Sequence, residues 1–269
     1  MTSLLDRVSS QRWVHRAVGA LGIYRASAAV LRRFPLERRF RPSGLVYRLT
    51  SLDQLGIAGE IFGDRVYSPV LALERIDSII DLGCNAGWFA LYLAAERPNP
   101  GRRALLVDAN PRIVEEARWH VERNHLRNHL VALGAVGLPA GTASAVFHVS
   151  PSASQSSLLE HQPEKQLPVK GRIVDVTVPA LVVGNEWRKD FDGDVDLVKI
   201  DIEGNELDFI ENEAAFLRDR ARAVLLEWHK WHVTLAEVDA ALGRLGFQRT
   251  AVTAETDITG VALYRRPAG

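Results

Sequence analysis

Short apolar segments alternate with helix-like patterns over most of the chain. Five of these segments have the length and the aliphatic composition of buried strands. They cover residues 78–82, 104–108, 129–136, 195–200 and 223–226. Two more segments, residues 247–252 and 260–264, follow near the carboxyl end. This last pair predicts a hairpin at the edge of a sheet.

Apolar positions between the strand segments recur at helical spacing. A helix is predicted over residues 88–95, after the first strand. Asn110 is placed to cap a second helix, and Pro111 suits its first position. Thr234 and Glu237 have the spacing of a capping box before the last helix. Helices therefore connect successive strands along the chain.

An insertion separates the third strand from the fourth. Its two halves, residues 145–149 and 173–178, have extended patterns. The middle, residues 150–170, contains Ser, Gln and Pro and predicts a loop. This loop is either a polar lid over a ligand or an ordinary connection.

The order of these elements predicts an α/β, doubly wound, mostly parallel seven-stranded sheet with helices on both faces. We assign residues 71–269 to this domain and residues 1–70 to an N-terminal helical basic extension or cap. Residues 1–48 contain ten Arg against only Asp6 and Glu37. The extension is interpreted as a solvated cap, with weak contact to an anionic lipid surface or contact with an acidic substrate as the alternative.

The composition limits the size of the core, the presence of membrane spans and the cellular location. The chain has 269 residues, is 47% hydrophobic and carries no net charge, so it can bury one sizeable core. Apolar runs fall short of the roughly 18 residues that a membrane span needs. Cys84 is the only cysteine, which excludes an intrachain disulfide and is consistent with a cytoplasmic location.

An acid and two glycines follow the first strand. In a parallel sheet ligands bind at the carboxyl ends of the strands, where Asp81, Gly83, Asn85 and Gly87 lie. The glycines allow the backbone to turn and to approach a ligand closely. The segment lacks the G-x-G-x-x-G spacing of a dinucleotide site. A carboxylate at Asp81 suits the cationic amino-acid part of S-adenosylmethionine instead.

The next two strand ends extend this candidate cofactor site. Asp108, after the second strand, is placed to accept hydrogen bonds from a ribose diol. Alternatively, it is a charge favoured by the dipole of the following helix. Ala135, after the third strand, suits an adenine-facing wall, and it suits ordinary core equally well.

Three segments resemble the FkbM-type methyltransferase family: residues 80–89, 107–111 and 198–206, of which the last is the most specific. The resemblance covers residues 78–264, with mild departures at residues 84–86 and at Asp108. It implies a class I, Rossmann-like methyltransferase fold and S-adenosylmethionine as donor. It also implies methylation of hydroxyls on sugars, glycolipids or polyketide-like products.

Candidate reactive groups follow the fourth and fifth strands: Lys199, Asp201, Glu203, Glu227, His229 and His232. Two mechanisms stay open. Asp201, Glu227 and His229 could hold a divalent ion such as Mg²⁺, which activates an acceptor hydroxyl. Otherwise His229 or Asp201 acts directly as the general base. Lys199 would orient the carboxylates in both cases. Glu206 is interpreted as a charge in the first turn of a helix.

Other functions are less favoured. The part after residue 70 lacks a basic, aromatic-interleaved surface, so no nucleic-acid partner is expected. A nucleic-acid or other N-methyltransferase, and a non-catalytic binding protein that retains the fold, remain the alternatives. The remaining histidines are interpreted as surface or packing residues, with His148 undecided: His15, His120, His125, His129 and His161. The predicted partner is a small-molecule or glycan acceptor.

Overall fold

A computed structural model describes residues 29–41, 43–51, 53–150, 156–159 and 172–267. The predictions for residues 1–28 and for most of the 150–170 loop lie outside these residues. The strands are β1 (Leu36–Arg39), β2 (Val46–Leu49), β3 (Ser78–Leu82), β4 (Arg103–Asp108), β5 (His129–Leu133), β6 (Ser144–Val149), β7 (Val174–Pro179), β8 (Leu197–Ile200), β9 (Ala223–His229), β10 (Gln248–Thr253) and β11 (Thr259–Arg265).

The α-helices are α1 (Asp53–Ala58), α2 (Trp88–Glu96), α3 (Pro111–Arg123), α4 (Val183–Asp190), α5 (Glu206–Asn212), α6 (Ala214–Arg220) and α7 (Leu235–Arg244). A π-helical turn over Gly59–Gly63 and a 3₁₀ turn over Ser68–Ala72 follow α1. The predicted caps are confirmed, because the Asn110 side chain accepts from Arg112 N and Thr234 forms a capping box with Glu237. Within the described residues, no helix is both long and apolar enough to cross a membrane.

Seven strands form the central sheet, in the order β10-β11-β9-β8-β3-β4-β5. Strands β9, β8, β3, β4 and β5 run parallel to one another. Strand β11 is antiparallel to β9, and β10 is antiparallel to β11 at the edge. The predicted doubly wound, mostly parallel sheet with a terminal hairpin is confirmed. The carboxyl ends of β3, β4, β8 and β9 consequently meet at one edge of the sheet.

Helices cover both faces of the sheet because alternate strand residues point to opposite sides. One face carries Ile80, Val198 and Leu226 and packs against Trp187 of α4 and Leu242 of α7. The other face packs against helices α2 and α3 and against part of the N-terminal segment. Its buried contributors include Ile79, Leu106, Phe89, Ala117 and Tyr67.

The N-terminal segment contains a hairpin where the sequence indicated only helix. Residues 29–33 are helical, but β1 and β2 pair antiparallel. The turn closes because Phe40 N donates to Leu45 O and Gly44, with a φ of 77°, donates to Phe40 O. Neither strand alternates between buried and exposed residues, so the sequence pattern gave no signal for the hairpin. The boundary at residue 70 stays a prediction.

The insertion also differs from the prediction in one respect. Its halves form strands as expected, and β6 and β7 pair antiparallel in a separate two-stranded sheet. Helix α4, which follows β7, was not predicted from the spacing of apolar residues. Val183 and Trp187, one helical turn apart, are both fully buried. Their spacing is the only apolar signal in an otherwise polar helix.

Candidate active site

The turn after β3 brings the first predicted cofactor residues to the ligand-binding edge. Gly83 has a φ of 65°, and a Cβ there would lie 1.7 Å from the carbonyl oxygen of Asp201. A glycine is therefore required where this turn crosses the end of β8. Gly87 has a φ of 77° and precedes helix α2, while Asn85 has a φ of 49°. Three residues of this turn therefore have positive φ angles, a conformation that is unfavourable for most residues other than glycine.

Asp108 is held by this turn and by the start of helix α3. Its Oδ2 accepts from Asn85 N at 2.9 Å, and its Oδ1 accepts from Asn110 N at 2.8 Å. Burial raises the pKa of Asp108 to about 6, against the lowering effect of these hydrogen bonds. The carboxyl group is thus mainly ionised at neutral pH. Each oxygen retains a lone pair for a ligand, since a carboxylate offers about four acceptor positions.

Asp108→Ala should weaken binding of S-adenosylhomocysteine by roughly 10- to 100-fold, because hydrogen bonds to a charged group contribute about 1.5–3 kcal/mol. The substitution also removes a partner of Asn85 N, so loop distortion has to be separated from loss of the ribose contact. Calorimetry with 2′-deoxy and 3′-deoxy analogues separates them. Asp108→Ala should bind the deoxy analogues and the parent compound equally, whereas the unaltered enzyme should prefer the parent. Equal binding by the unaltered enzyme would remove the ribose assignment.

Asp81 and Lys199 form a buried pair behind the turn. Lys199 Nζ lies 3.2 Å from Asp81 Oδ1 and 3.2 Å from Asp201 Oδ2, and it donates to Gly83 O at 3.2 Å. Both side chains are almost inaccessible, at 3% exposure for Lys199 and 0% for Asp81. Burial raises the pKa of Asp81, with Lys199 opposing the effect. Apart from the contact with Lys199, neither Asp81 oxygen has a polar partner among the described residues, and both oxygens are shielded from solvent.

Ala135 lies beyond β5, beneath the insertion. It is 2% exposed and packs with Phe147 and Val178. Its N–H donates to Pro179 O, and its carbonyl accepts from Leu181 N. The backbone of Ala135 is thus hydrogen-bonded and its side chain is packed within the protein. Its role in facing the adenine stays a prediction.

Asp201, Glu227 and His229 meet at the ends of β8 and β9. Each offers one ligand atom, and these three atoms lie within 4.8 Å of one another. The side chain of Asp201 is 22% exposed and that of His229 is 4% exposed. Neighbouring parallel strands bring them together, because β8 and β9 end at the same edge. The predicted grouping of these three residues is therefore present.

Two further carboxylates surround His229. Its Nδ1 is 2.8 Å from Glu206 Oε1, and its Nε2 is 3.3 Å from Glu203 Oε2. Burial by itself lowers the pKa of His229, but Glu203, Glu206 and Glu227 together raise it well above its ordinary value. Negative charge on these carboxylates thus favours the protonated imidazole, and Nδ1 is hydrogen-bonded to Glu206. Glu203 has a φ of 53°, which is uncommon for a non-glycine residue and is frequent at functional sites.

Glu206 differs from its interpretation as a charge in the first turn of a helix. It does lie in the first turn of α5, but it is 0% exposed. Its Oε1 accepts from Gly204 N at 3.0 Å in addition to contacting His229. Its Oε2 has no partner within the described part of the chain. Glu206 belongs to the site through its contact with His229, which lies 23 residues away in sequence. The local sequence pattern therefore did not indicate this role.

Three other residues next to this centre were also missed. Tyr67, from the segment before β3, is buried with its ring centre 5.8 Å from Lys199 Nζ. The Ser157 hydroxyl, in the described part of the predicted lid, donates to Glu203 O at 2.9 Å. Trp231 packs against Gly204, and its ring lies 5.9 Å from that of His229. These contacts come from distant segments, and single-sequence patterns carry no signal for them.

The carboxylates of this centre predict a pH-dependent stability. Burial, and then the charge of Asp201, raises the pKa of Glu203 and of Glu227 to about 8, although His229 opposes the shift. The folded state therefore keeps protons that the unfolded state, with ordinary Glu pKa values, releases at lower pH. Stability contributed in this way is present at low pH and is lost as pH rises through about 8.

In chelator, the free energy of unfolding should therefore fall between pH 6 and pH 9. Denaturant titrations at several pH values measure the slope, and Glu227→Gln should make it shallower because the amide does not titrate. A slope that is unchanged in Glu227→Gln would show that Glu227 does not hold a proton in the folded state.

The motif residues fall within a match to a known family. The family model described as the methyltransferase FkbM domain matches residues 81–249, which is more than half of the chain. The chain belongs to the FkbM methyltransferase family. It is an S-adenosylmethionine-dependent methyltransferase with the class I, Rossmann-like fold that the sequence motifs implied.

Solved methyltransferase structures resemble this enzyme over most of its length. Magnesium protoporphyrin IX methyltransferase from Synechocystis PCC 6803, with bound S-adenosylhomocysteine, is 12% identical over 93% of this chain and 99% of its own, with a TM-score of 0.47. A methyltransferase from Aquifex aeolicus is 14% identical over 76% and 90%, with a TM-score of 0.44. Fibrillarin from Aeropyrum pernix, with bound S-adenosylmethionine, is 14% identical over 86% and 82%, with a TM-score of 0.45. No curated protein matches the sequence.

Proposed function

We propose that this enzyme transfers the methyl group of S-adenosylmethionine to a hydroxyl of a sugar, an oligosaccharide or a glycosylated metabolite. In this proposal Asp201, Glu227 and His229 hold a divalent cation beside the acceptor. The observation that carries it is the convergence of their three ligand atoms within 4.8 Å at the ligand-binding edge. We further propose that the enzyme works in the cytoplasm on a small-molecule or glycan acceptor.

The donor set fits a divalent cation. Two carboxylates supply the hard oxygen ligands that Mg²⁺ prefers, although an imidazole ligand is less usual for that ion. The contact between Glu206 and His229 Nδ1 supports the assignment, because metal-binding histidines commonly donate their other N–H to a carboxylate. Five acids surround two cationic side chains: Asp81, Asp201, Glu203, Glu206 and Glu227 around Lys199 and His229. Burial keeps protons on Glu203 and Glu227 up to a pH of about 8, and a bound divalent cation would displace these protons and neutralise the charge that is released.

The chemistry of methyl transfer explains why such a centre is useful. The bond between the methyl carbon and sulfur breaks as a bond to the acceptor oxygen forms, and sulfur keeps the electron pair. The hydroxyl proton has to leave, and a sugar hydroxyl is a weak acid and a poor nucleophile. A bound divalent cation would lower the pKa of that hydroxyl and fix its position. The carboxylate of Asp201 is placed to accept the proton, and Glu227 could do so once a cation has displaced the proton that its raised pKa of about 8 retains.

Lys199 has a supporting role in this proposal. Its ammonium group contacts Asp81 on the cofactor side and Asp201 on the acceptor side. It therefore opposes the rise that burial causes in the pKa of Asp81, and it joins the two halves of the site through its contacts with both carboxylates. Asp81, Gly83, Asn85, Gly87 and Asp108 bind the cofactor in this arrangement.

The contact with Glu206 also supports a second mechanism. A histidine oriented by a buried carboxylate has the arrangement of a general base, and its Nε2 would receive the hydroxyl proton without a metal. Before it can act in this way, His229 has to lose the proton that the surrounding carboxylates stabilise.

An acceptor screen tests the function and separates the mechanisms. Mannosides, glycolipids and polyketide glycosides would be incubated with S-adenosylmethionine carrying a deuterated methyl group, with and without chelator. Mass spectrometry should find a labelled methyl ether that disappears in chelator and returns with Mg²⁺ or Mn²⁺. Full activity in chelator, together with an inactive His229→Ala variant, would support His229 as the base instead. Transfer to nitrogen alone would reject the hydroxyl acceptor.

A further inference from the structure

Strand β2 of the N-terminal hairpin is attached to helix α3 and to Asn124, the C-cap residue of that helix, mainly by side chains that pair with the backbone of β2. Asn124 accepts from Val46 N and donates to Val46 O, both at 2.7 Å. His120 Nε2 accepts from Arg48 N at 2.9 Å. Arg48 also forms an ion pair with Glu116 at 2.6 Å. Side chains of α3 and its C-cap thus satisfy backbone groups of β2 that do not pair with β1.

The second nitrogen of His120 reaches the candidate cofactor loop. His120 is 1% exposed, and its Nδ1 lies 2.8 Å from Ala86 O. Because Nε2 accepts from a backbone N–H, the ring proton has to be on Nδ1, which donates to the carbonyl. Burial lowers the pKa of His120 to about 4, so the ring is neutral near pH 7. One imidazole therefore joins the hairpin to the loop.

The contact falls on the peptide that connects the loop to helix α2. The peptide between Ala86 and Gly87 has its carbonyl bonded to His120 and its N–H bonded to Cys84 O at 2.9 Å. The residues on either side of Ala86 both have positive φ, 49° at Asn85 and 77° at Gly87. Buried backbone groups need hydrogen-bond partners, so these two bonds restrict the conformations that the loop can adopt.

Aromatic packing strengthens the same connection. The ring of Trp88, the first residue of α2, lies 5.2 Å from that of His120. The Tyr47 ring of β2 contacts Trp88 edge-on at 5.7 Å. The hairpin, the loop and the start of helix α2 are consequently packed against one another. A displacement of one of them should therefore alter the position of the other two.

We propose that His120 is a positioning residue that couples the N-terminal hairpin to the cofactor loop, so that hairpin docking and S-adenosylmethionine binding stabilise each other. The proposal rests on the assignment of residues 83–87 to the cofactor and not on the identity of the acceptor. Coupling of this kind is reciprocal. Ligand at the loop should tighten the hairpin, and loss of the hairpin contact should weaken the ligand.

Amide hydrogen exchange in the unaltered enzyme gives the first test. Saturating S-adenosylhomocysteine should slow exchange of the Val46 and Arg48 amides about tenfold, although these groups contact helix α3 and not the loop. Unchanged exchange at both amides would overturn the proposal without any variant.

Two substitutions of His120 separate its contacts. His120→Gln places an acceptor near the position of Nε2 and keeps the bond from Arg48 N, but it loses the bond to Ala86. His120→Asn places an amide N–H near the position of Nδ1 and keeps the bond to Ala86. In calorimetry, His120→Gln should bind S-adenosylhomocysteine roughly fivefold more weakly, as expected for one lost hydrogen bond. In the same variant the ligand should no longer slow exchange at Arg48. His120→Asn loses the bond from Arg48 N, so it should also bind more weakly, but only by about twofold, because Asn124 and the Arg48–Glu116 ion pair still hold the hairpin.

Asp108→Ala and Asn124→Ala serve as controls. If Asp108→Ala and His120→Gln both leave the affinity unchanged, the assignment of the loop to the cofactor is wrong. If Asp108→Ala weakens binding and His120→Gln does not, only the coupling is wrong. Asn124→Ala should speed exchange at Val46 with and without ligand, because Asn124 contacts the hairpin and does not contact the loop. A purely structural role for His120 would lower the melting temperatures of both of its variants equally and would not reproduce their difference in affinity.

Discussion

Glu227→Gln should lower the rate of methyl transfer by about a hundredfold or more, because help with proton removal alone contributes about 10²- to 10⁴-fold. Its affinity for S-adenosylhomocysteine should stay within about twofold, since the cofactor is assigned to the ends of β3 and β4 and Glu227 lies on β9. Single-turnover transfer of a labelled methyl group, together with calorimetry, measures the two effects separately.

A matched surface variant controls for the loss of one negative charge. Glu211 is 65% exposed and lies 3.9 Å from Arg244, so Glu211→Gln should leave both rate and affinity unchanged. Asp201→Asn should behave like Glu227→Gln, because both residues belong to one centre. Normal transfer rates in both Asp201→Asn and Glu227→Gln would reject the proposed centre.

Lys199→Met should destabilise the folded enzyme by about 3–5 kcal/mol, because it removes the positive partner of two carboxylates at a buried site. Lys199 is 3% exposed and lies 3.2 Å from both Asp81 and Asp201. Denaturant unfolding at pH 7 measures the effect. Adding Asp81→Asn to Lys199→Met should recover part of the loss, because the uncompensated charge at Asp81 is then removed.

Lys230→Met is the control variant, because it removes the positive partner of an ion pair that is partly exposed to solvent. Lys230 lies 2.7 Å from Glu255 with 30% of its side chain exposed, and such pairs typically contribute about 0–1 kcal/mol. A loss in Lys199→Met no larger than that in Lys230→Met would show that Lys199 does not neutralise the buried carboxylates.

The sequence was most informative for segments whose structure is determined by their own local pattern of residues. The segment at residues 78–82 has the length and composition of a buried strand, and β3 covers the same residues. The rule that parallel strands end at one edge then predicts, from the sequence alone, that Asp201 lies beside Glu227. Strand ends could be predicted because apolar runs and glycine turns are local signals.

Residues that depend on distant partners could not be predicted in the same way. Glu206 looks like an exposed charge in the first turn of a helix until His229 folds against it. His120 lies on an amphipathic helix, and its two partners come from segments 34 and 72 residues away. The β1–β2 hairpin was missed because its pairing depends on a turn at Gly44 and on packing against α3. Such positions are specified by tertiary contacts, and a single sequence does not encode them in a readable pattern.

The central claim is that Asp201, Glu227 and His229 form one cation-binding centre next to the cofactor. Titration of Mn²⁺ into the chelator-treated enzyme, followed by electron paramagnetic resonance, tests this claim most directly. We expect one bound ion per chain, tighter binding as pH rises through about 8 because bound protons are displaced, and loss of the site in Glu227→Gln. The site should persist in Asp108→Ala, which alters only the cofactor side. No saturable Mn²⁺ binding in the unaltered enzyme, or equal binding in Glu227→Gln, would contradict the account.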